Sequence, residues 1–173
     1  TAFSQLIGLL ALPILTRLYT PEDFTVLATF SSILALLTVI SCLRFEIAIP
    51  IPNDKETAIQ LFLLSVISVI SITLLTSIAL FLGEKGFNEA TNNQLQGYLW
   101  LIPIGVFCTG FYKALQFWMT REKSFKLIAK TRMSQSISGA TIQIGFGYIG
   151  FAPIGLLTGQ VLNSSAGIIG LLR

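Results

Sequence analysis

The chain has 173 residues and a net charge of +3; 53% of its residues are apolar, only 11% are charged, and none is histidine. Its mean hydropathy is +0.79, and because soluble domains carry about 25% charged residues on a hydrated surface, this composition excludes most soluble classes. It predicts a membrane protein without zinc sites, Cys-His nucleophiles or histidine-dependent triads.

Charge-free or nearly charge-free runs, taken in chain order, predict an all-α fold with six membrane-spanning helices. A helix needs roughly 20 apolar residues to cross the hydrocarbon core, because lipid offers no partner for open backbone groups. The predicted spans cover about residues 1–16, 24–43, 58–82, 98–119, 133–150 and 154–172. The first is short, so we expect a truncated chain in which this helix has lost its beginning and the sequence continues past Arg173.

The last two spans are divided by a turn. The uncharged run from Met133 to Leu172 has 40 residues, and as one helix it would be about 60 Å long, twice the thickness of a bilayer. The Gly150–Pro153 segment contains the glycine and proline that break helices. We therefore predict two helices joined by a tight turn.

Residue types at two helix starts support these divisions. In Thr20–Asp23, a threonine hydroxyl can cap the next helix, proline suits its first position, and two acids face the positive end of its dipole. Asn53–Glu56 repeats the pattern as a capping-box variant. The preceding Ile49–Pro52 segment favours extended chain.

The distribution of lysine and arginine predicts the orientation. One set of alternate loops contains only Arg17 and Lys85. The other set contains eight basic residues: Arg44, Lys55, Arg121, Lys123, Lys126, Lys130, Arg132 and Arg173. The positive-inside rule places this second set in the cytoplasm. Between two of the spans, Phe125–Arg132 is predicted to lie as an amphipathic helix at the inner membrane interface.

Two sequence segments carry a family resemblance. The run LTRLYTPEDF (Leu15–Phe24), followed after one span by LRFEIAIP (Leu43–Pro50), resembles the N-terminal part of bacterial oligosaccharide and polysaccharide flippases. The segments Trp118–Lys126 and Ala129–Arg132 are similar to the same family's loop after its fourth helix. The superfamily also includes multidrug exporters and flippases of lipid-linked peptidoglycan precursors. Thr25 is a departure, since the family pattern usually continues with glycine there.

The resemblance implies a transporter of two six-helix bundles facing each other across a cavity, with this chain as the N-terminal bundle. The implied substrate is an oligosaccharide on undecaprenyl pyrophosphate, turned across the bacterial inner membrane for O-antigen, capsule or exopolysaccharide assembly. The implied partners are the C-terminal lobe, membrane lipids, and polysaccharide polymerase and glycosyltransferases. A multidrug or ion-coupled antiporter of the same superfamily is the alternative.

The positions of the acidic residues argue against an enzyme. All eight fall in loops or helix starts, so no span contains paired carboxylates for acid and base catalysis. We predict no catalytic residue, metal, cofactor or nucleic-acid partner. The same absence weighs against the antiporter, because ion coupling usually needs an ionisable group at membrane depth.

Two basic residues are the leading candidates for binding the pyrophosphate of the implied substrate. Lys113 is the charge inside a predicted span, eight residues or roughly 12 Å from Arg121. Arg44 follows the second span. Both can form charge-assisted hydrogen bonds to phosphate oxygens. The alternative for Lys113 is that its flexible stem reaches toward the inner headgroups.

Five further residues are predicted in structural or path-lining roles. Glu46 lies two residues after Arg44, and in extended chain the two side chains could pair as a clamp. Arg17 and Asp23 could form a similar clamp across the outer turn.

Gln143 and Gln160 belong to two polar stripes, formed by Gln135, Gly139 and Gln143 and by Gln160, Asn163 and Gly167. Such stripes either line a hydrated path for sugars or pack helices together.

Overall fold

The computed structural model describes residues 2–171, so the predicted features at Thr1, Leu172 and Arg173 lie outside the described residues. Among these described residues the regular elements are all helices, with no strand, which confirms the predicted all-α class. Its helices are α1 (Ala2–Leu18), α2 (Pro21–Ser41), α3 (Phe45–Ala48), α4 (Lys55–Leu82), α5 (Glu84–Ala90), α6 (Leu101–Arg121), α7 (Phe125–Ile149) and α8 (Ile154–Leu171).

Six of these helices are long, and each overlaps one predicted span. Two of them, α2 and α4, are long and apolar enough to cross a membrane, and the Ser4–Leu18 part of α1 is apolar but shorter. Large apolar side chains face outward, including Phe81 at 84% and Leu10 at 74% exposure. Such an exterior suits lipid rather than water. The assignment of six spans stays a prediction.

The helix ends show which local signals act as predicted. The Thr20 hydroxyl caps α2, and the Asp23 carboxylate accepts a hydrogen bond from the Thr20 backbone N–H at 2.9 Å, forming a capping box. The turn between α7 and α8 is also confirmed, with Gly150 in the left-handed conformation at φ 82° after Ile149. The predicted capping box before α4 is wrong, because Asp54 makes no capping hydrogen bond through its side chain.

Two segments differ from the sequence prediction. A single helical turn, α3, lies before the predicted extended segment 49–52. The predicted interfacial helix from Phe125 to Arg132 is not separate, because α7 runs without a break to Ile149. No glycine or proline occurs between Phe125 and Ser138, so nothing in the sequence interrupts the helix there.

Helix α8 packs against α7, α6 and α2, while α1 packs on α7 and α4 on α6. The main core joins α2, α6 and α8 through side chains such as Phe30, Ile102 and Leu157. Glycines let α7 and α8 approach closely. A Cβ at Gly155 would lie 2.5 Å from Phe146 Cβ, and one at Gly159 or Gly167 would overlap Gln143 or Gln135.

This close approach predicts that Gly155→Val in the full-length protein lowers the apparent thermal unfolding midpoint in detergent. Phe146 Cβ sits next to the backbone and cannot rotate away, and overpacking of this kind costs about 1–3 kcal/mol. The matched control is Gly145→Ala on α7, where an added Cβ would meet nothing within 4 Å. Equal midpoints for the valine variant and the control would contradict the tight α7–α8 contact.

Candidate substrate-binding site

A cleft of about 340 Å³ opens at the end of the bundle that contains the basic loops. Its charged lining combines three cations and one carboxylate, a formal excess of two positive charges. The lining residues are Val39, Arg44, Glu46, Ile47, Lys113, Gln116, Phe117 and Arg132. The structure therefore brings together Lys113 and Arg44, which the sequence proposes separately, and adds Arg132, which belongs to a basic cluster that the sequence assigns first of all to topology and only second to substrate contact.

Three elements position the cations of this cleft. Lys113 lies on α6 and is half-buried, and Arg132 lies on α7. Arg44 is exposed and precedes α3 in the left-handed conformation, with φ 60° and ψ 13°, directly after Leu43 at φ 47°. Left-handed backbone costs roughly 1–2 kcal/mol for a residue with a Cβ, and such strain is concentrated at functional sites.

Glu46 is the unusual group of the cleft. Its side chain is only 5% exposed, and its Oε2 atom has no hydrogen-bond partner among the described residues. A buried carboxylate is costly unless charges or donors compensate for lost water. Arg44 and Lys113 line the same cleft and supply compensating positive charge. The extended chain on which the predicted Arg44–Glu46 clamp depends is not found, because Arg44 is left-handed and Glu46 lies in the helical turn α3.

Arg121 has a role that sequence reasoning missed. Its guanidinium donates hydrogen bonds to the backbone carbonyls of Pro52, Asn53 and Asp54, the last two at 3.2 Å. These bonds tie the end of α6 to the chain that leads from α3 into α4. They hold this loop against the end of α6, and the available signal was a lone arginine in the last turn of an apolar helix.

The cleft can hold a multiply charged anion, because guanidinium and ammonium groups form short, strong hydrogen bonds to phosphate and carboxylate oxygens.

Comparison with known protein families identifies the family to which this chain belongs. The family model described as "Polysaccharide biosynthesis protein" matches residues 14–172, most of the chain. The chain belongs to this family. Comparisons with curated proteins and with solved structures gave no match.

Family membership confirms the resemblance carried by Leu15–Phe24 and Leu43–Pro50. As a member of the polysaccharide biosynthesis protein family with long apolar helices, the chain is a membrane protein. The family match spans every element that lines the cleft, from the end of α2 to α7. The cleft is therefore part of the family domain.

Arg17 and Asp23, which the sequence predicts as a clamp across the outer turn, lie in surroundings that differ from each other. Asp23 belongs to the capping box, where its Oδ2 also accepts a hydrogen bond from the Thr20 hydroxyl at 2.8 Å. Arg17 lies in a groove beside Tyr148. Between them, Tyr19 donates its hydroxyl to the Gln143 carbonyl at 2.6 Å. Burial, followed by the charge of Asp23, raises the pKa of Tyr19, which keeps this donor protonated.

The predicted glutamines lie away from the cleft. Gln143 Nε2 donates to the Leu156 carbonyl of α8 at 3.4 Å, and Gln135 Nε2 donates to the Ser164 carbonyl at the same distance. These contacts place the α7 stripe in helix packing. Gln160 is half-buried on α8, outside the lining of the cleft.

Proposed function

We propose that this chain is one lobe of an exporter that flips an undecaprenyl-pyrophosphate-linked oligosaccharide across the bacterial inner membrane. The observation that carries this proposal is the cleft in which Arg44, Lys113 and Arg132 converge. A pyrophosphate has several anionic oxygens, and converging cations can neutralise them through charge-assisted hydrogen bonds. The polysaccharide biosynthesis family supports the sugar-bearing part of the substrate.

The position of the cleft supports loading from the cytoplasmic leaflet. It lies at the end of the bundle where the basic loops meet, as the bonds from Arg121 to the chain before α4 illustrate. By the positive-inside rule these loops face the cytoplasm. The pyrophosphate would enter at this end and leave toward the periplasm for O-antigen, capsule or exopolysaccharide assembly.

Transport by this lobe requires a second body. Alternating access moves two bundles against each other around a site between them. We propose that a C-terminal lobe completes the cavity, and that the product passes to a polysaccharide polymerase. Glycosyltransferases would supply the substrate. On this proposal the protein itself makes no covalent change and is not an enzyme.

The buried carboxylate of Glu46 favours an ion-coupled form of this transport. Every acid was assigned from sequence to a loop or a helix start, yet Glu46 is buried beside Lys113 in the cleft. Ion coupling usually uses an ionisable group that is buried within the membrane. Glu46 meets the condition of burial, although it lies at the end of the bundle that contains the basic loops. An ion-coupled antiporter of the same superfamily is therefore the second candidate, and coupling of flipping to an ion gradient would unite the two.

The test is reconstitution of the full-length protein into liposomes that carry the lipid-linked oligosaccharide. We expect the sugar to become accessible to an added lectin on the opposite leaflet, faster than in protein-free liposomes. A fluorescent cationic drug serves as the competing substrate in parallel liposomes. Movement of the drug without movement of the oligosaccharide would overturn the flippase proposal and support the antiporter.

A further inference from the structure

A second cleft lies toward the opposite end of α2, and its lining combines uncharged polar residues with three apolar ones and no charged residue. Its volume is about 530 Å³, within the range of about 300–1,000 Å³ typical of small-molecule sites. One wall is formed by Thr25, Thr29 and Ser32 of α2. The other wall includes Asn92 and Gln94, in the segment between α5 and α6.

The hydroxyl groups of the first wall are arranged to accept hydrogen bonds. Thr25 donates its proton to the Pro21 carbonyl at 3.0 Å and Ser32 to the Ala28 carbonyl at 2.8 Å. Thr29 has two acceptors within reach of its single proton, the Thr25 carbonyl at 3.0 Å and Gln94 Oε1 at 2.7 Å. Their oxygens keep acceptor capacity for a ligand. Spacings of four and three residues put the three side chains on one helix face.

This polar face extends to the middle of α2. Ser32 is the twelfth residue of α2, so it lies about 16 Å along a helix of 21 residues, near its middle. Thr25 and Ser32 are exposed. Their hydroxyls are bonded to carbonyls of their own helix and are tolerated in either hydrocarbon or water. The carboxamides of the facing wall are what indicate a hydrated cavity here.

The second wall adds groups that both donate and accept. The Thr29 hydroxyl donates a hydrogen bond to Gln94 Oε1 at 2.7 Å, which joins the two walls. Asn92 is exposed and stands in the left-handed conformation at φ 50°, at the start of the loop that leads to α6. Carboxamides and hydroxyls together match the alternating donors and acceptors of sugar hydroxyls, whereas phosphate would demand positive charge.

One face of α2 connects this cleft with the cationic one. Val39 lines the cationic cleft and lies seven residues, about 10 Å, beyond Ser32 on the same side of the helix. We propose that the uncharged cleft is a saccharide subsite for the neutral sugar chain of the substrate. This inference rests on the proposed function, with pyrophosphate at one end of α2 and sugars along its polar half.

The test compares binding of two ligands to the full-length protein in nanodiscs: undecaprenyl pyrophosphate with its oligosaccharide and undecaprenyl pyrophosphate alone. We expect the Thr25→Val, Ser32→Ala double variant, which spares the Thr29–Gln94 bond, to bind the sugar-bearing carrier about five to ten times more weakly, since two hydrogen bonds to the ligand are lost. Binding of the bare carrier should not change. The matched control is Thr141→Val on α7, an exposed threonine with the same bond to a carbonyl four residues earlier.

Asn92→Ala removes a carboxamide of the opposite wall and should also weaken binding of the sugar-bearing carrier without changing binding of the bare carrier. This single variant tests the subsite if the double variant inserts poorly into the membrane. An unchanged ratio of the two affinities in these variants, or an equal change in Thr141→Val, would overturn the saccharide subsite. If the wild-type protein binds neither carrier, the proposed function itself fails instead.

Discussion

Lys113→Gln in the full-length protein should abolish export of surface polysaccharide while leaving insertion and abundance unchanged. The ammonium shares a cleft with Arg44 and Arg132, and hydrogen bonds to charged groups contribute about 1.5–3 kcal/mol, or roughly a tenfold to hundredfold change in affinity. Lys113→Arg should keep part of the activity, because it preserves the charge but changes the geometry of the donors.

The measurement is surface polysaccharide in cells that carry each variant, normalised to the amount of protein in the membrane. Lys126→Gln is the matched control, because it removes an exposed lysine near the start of α7, outside the cleft. Normal export by Lys113→Leu at normal abundance would show that the lysine only reaches toward the headgroups. Arg44 would then be the next candidate for pyrophosphate binding.

The sequence predicts those parts of the fold that depend on local signals. Charge-free runs locate the six long helices, and Gly150 with Pro153 marks the turn between α7 and α8. The continuity of α7 was missed because basic residues at Phe125–Arg132 are compatible with either an interfacial helix or the start of a longer one. Their composition alone does not distinguish the two.

The candidate site was predictable residue by residue but not as an arrangement. Lys113 stands out because a charge inside an apolar run is costly. Its proximity to Arg132 depends on how α6 and α7 pack, and the burial of Glu46 depends on the turn at Leu43 and Arg44. Nothing local in the sequence specifies either contact.

The polar stripes show the same limit. The period of Gln135, Gly139 and Gln143 identifies one face of α7, but a hydrated path and a helix interface require the same residue types. The structure pairs this face with glycines of α8. In contrast, the hydroxyl face of α2 is exposed. Only the packing of the bundle distinguishes a polar face that lies in a helix interface from one that lines a cleft.

Glu46→Gln should strengthen binding of undecaprenyl pyrophosphate and slow export. The carboxylate opposes the cations of the cleft, so its removal leaves more positive charge for the anion. A unit charge about 10 Å away, at an effective dielectric constant of about 20, contributes about 1.7 kcal/mol, which is roughly a tenfold change in affinity. Tighter binding without better stabilisation of the moving state delays release of the substrate.

The measurement pairs carrier affinity in nanodiscs with export in cells, and Glu122→Gln, an exposed acid at the end of α6, is the control. Weaker binding of the carrier by Glu46→Gln would contradict the idea that the carboxylate weakens the attraction between the cations and the substrate. It would mean instead that the carboxylate holds Arg44 or Lys113 in place. The same variant in liposomes separates the two candidate functions. If Glu46 is an ion-coupling group, the substitution removes the dependence of transport on a proton or sodium gradient, whereas a pure counter-charge leaves that dependence unchanged.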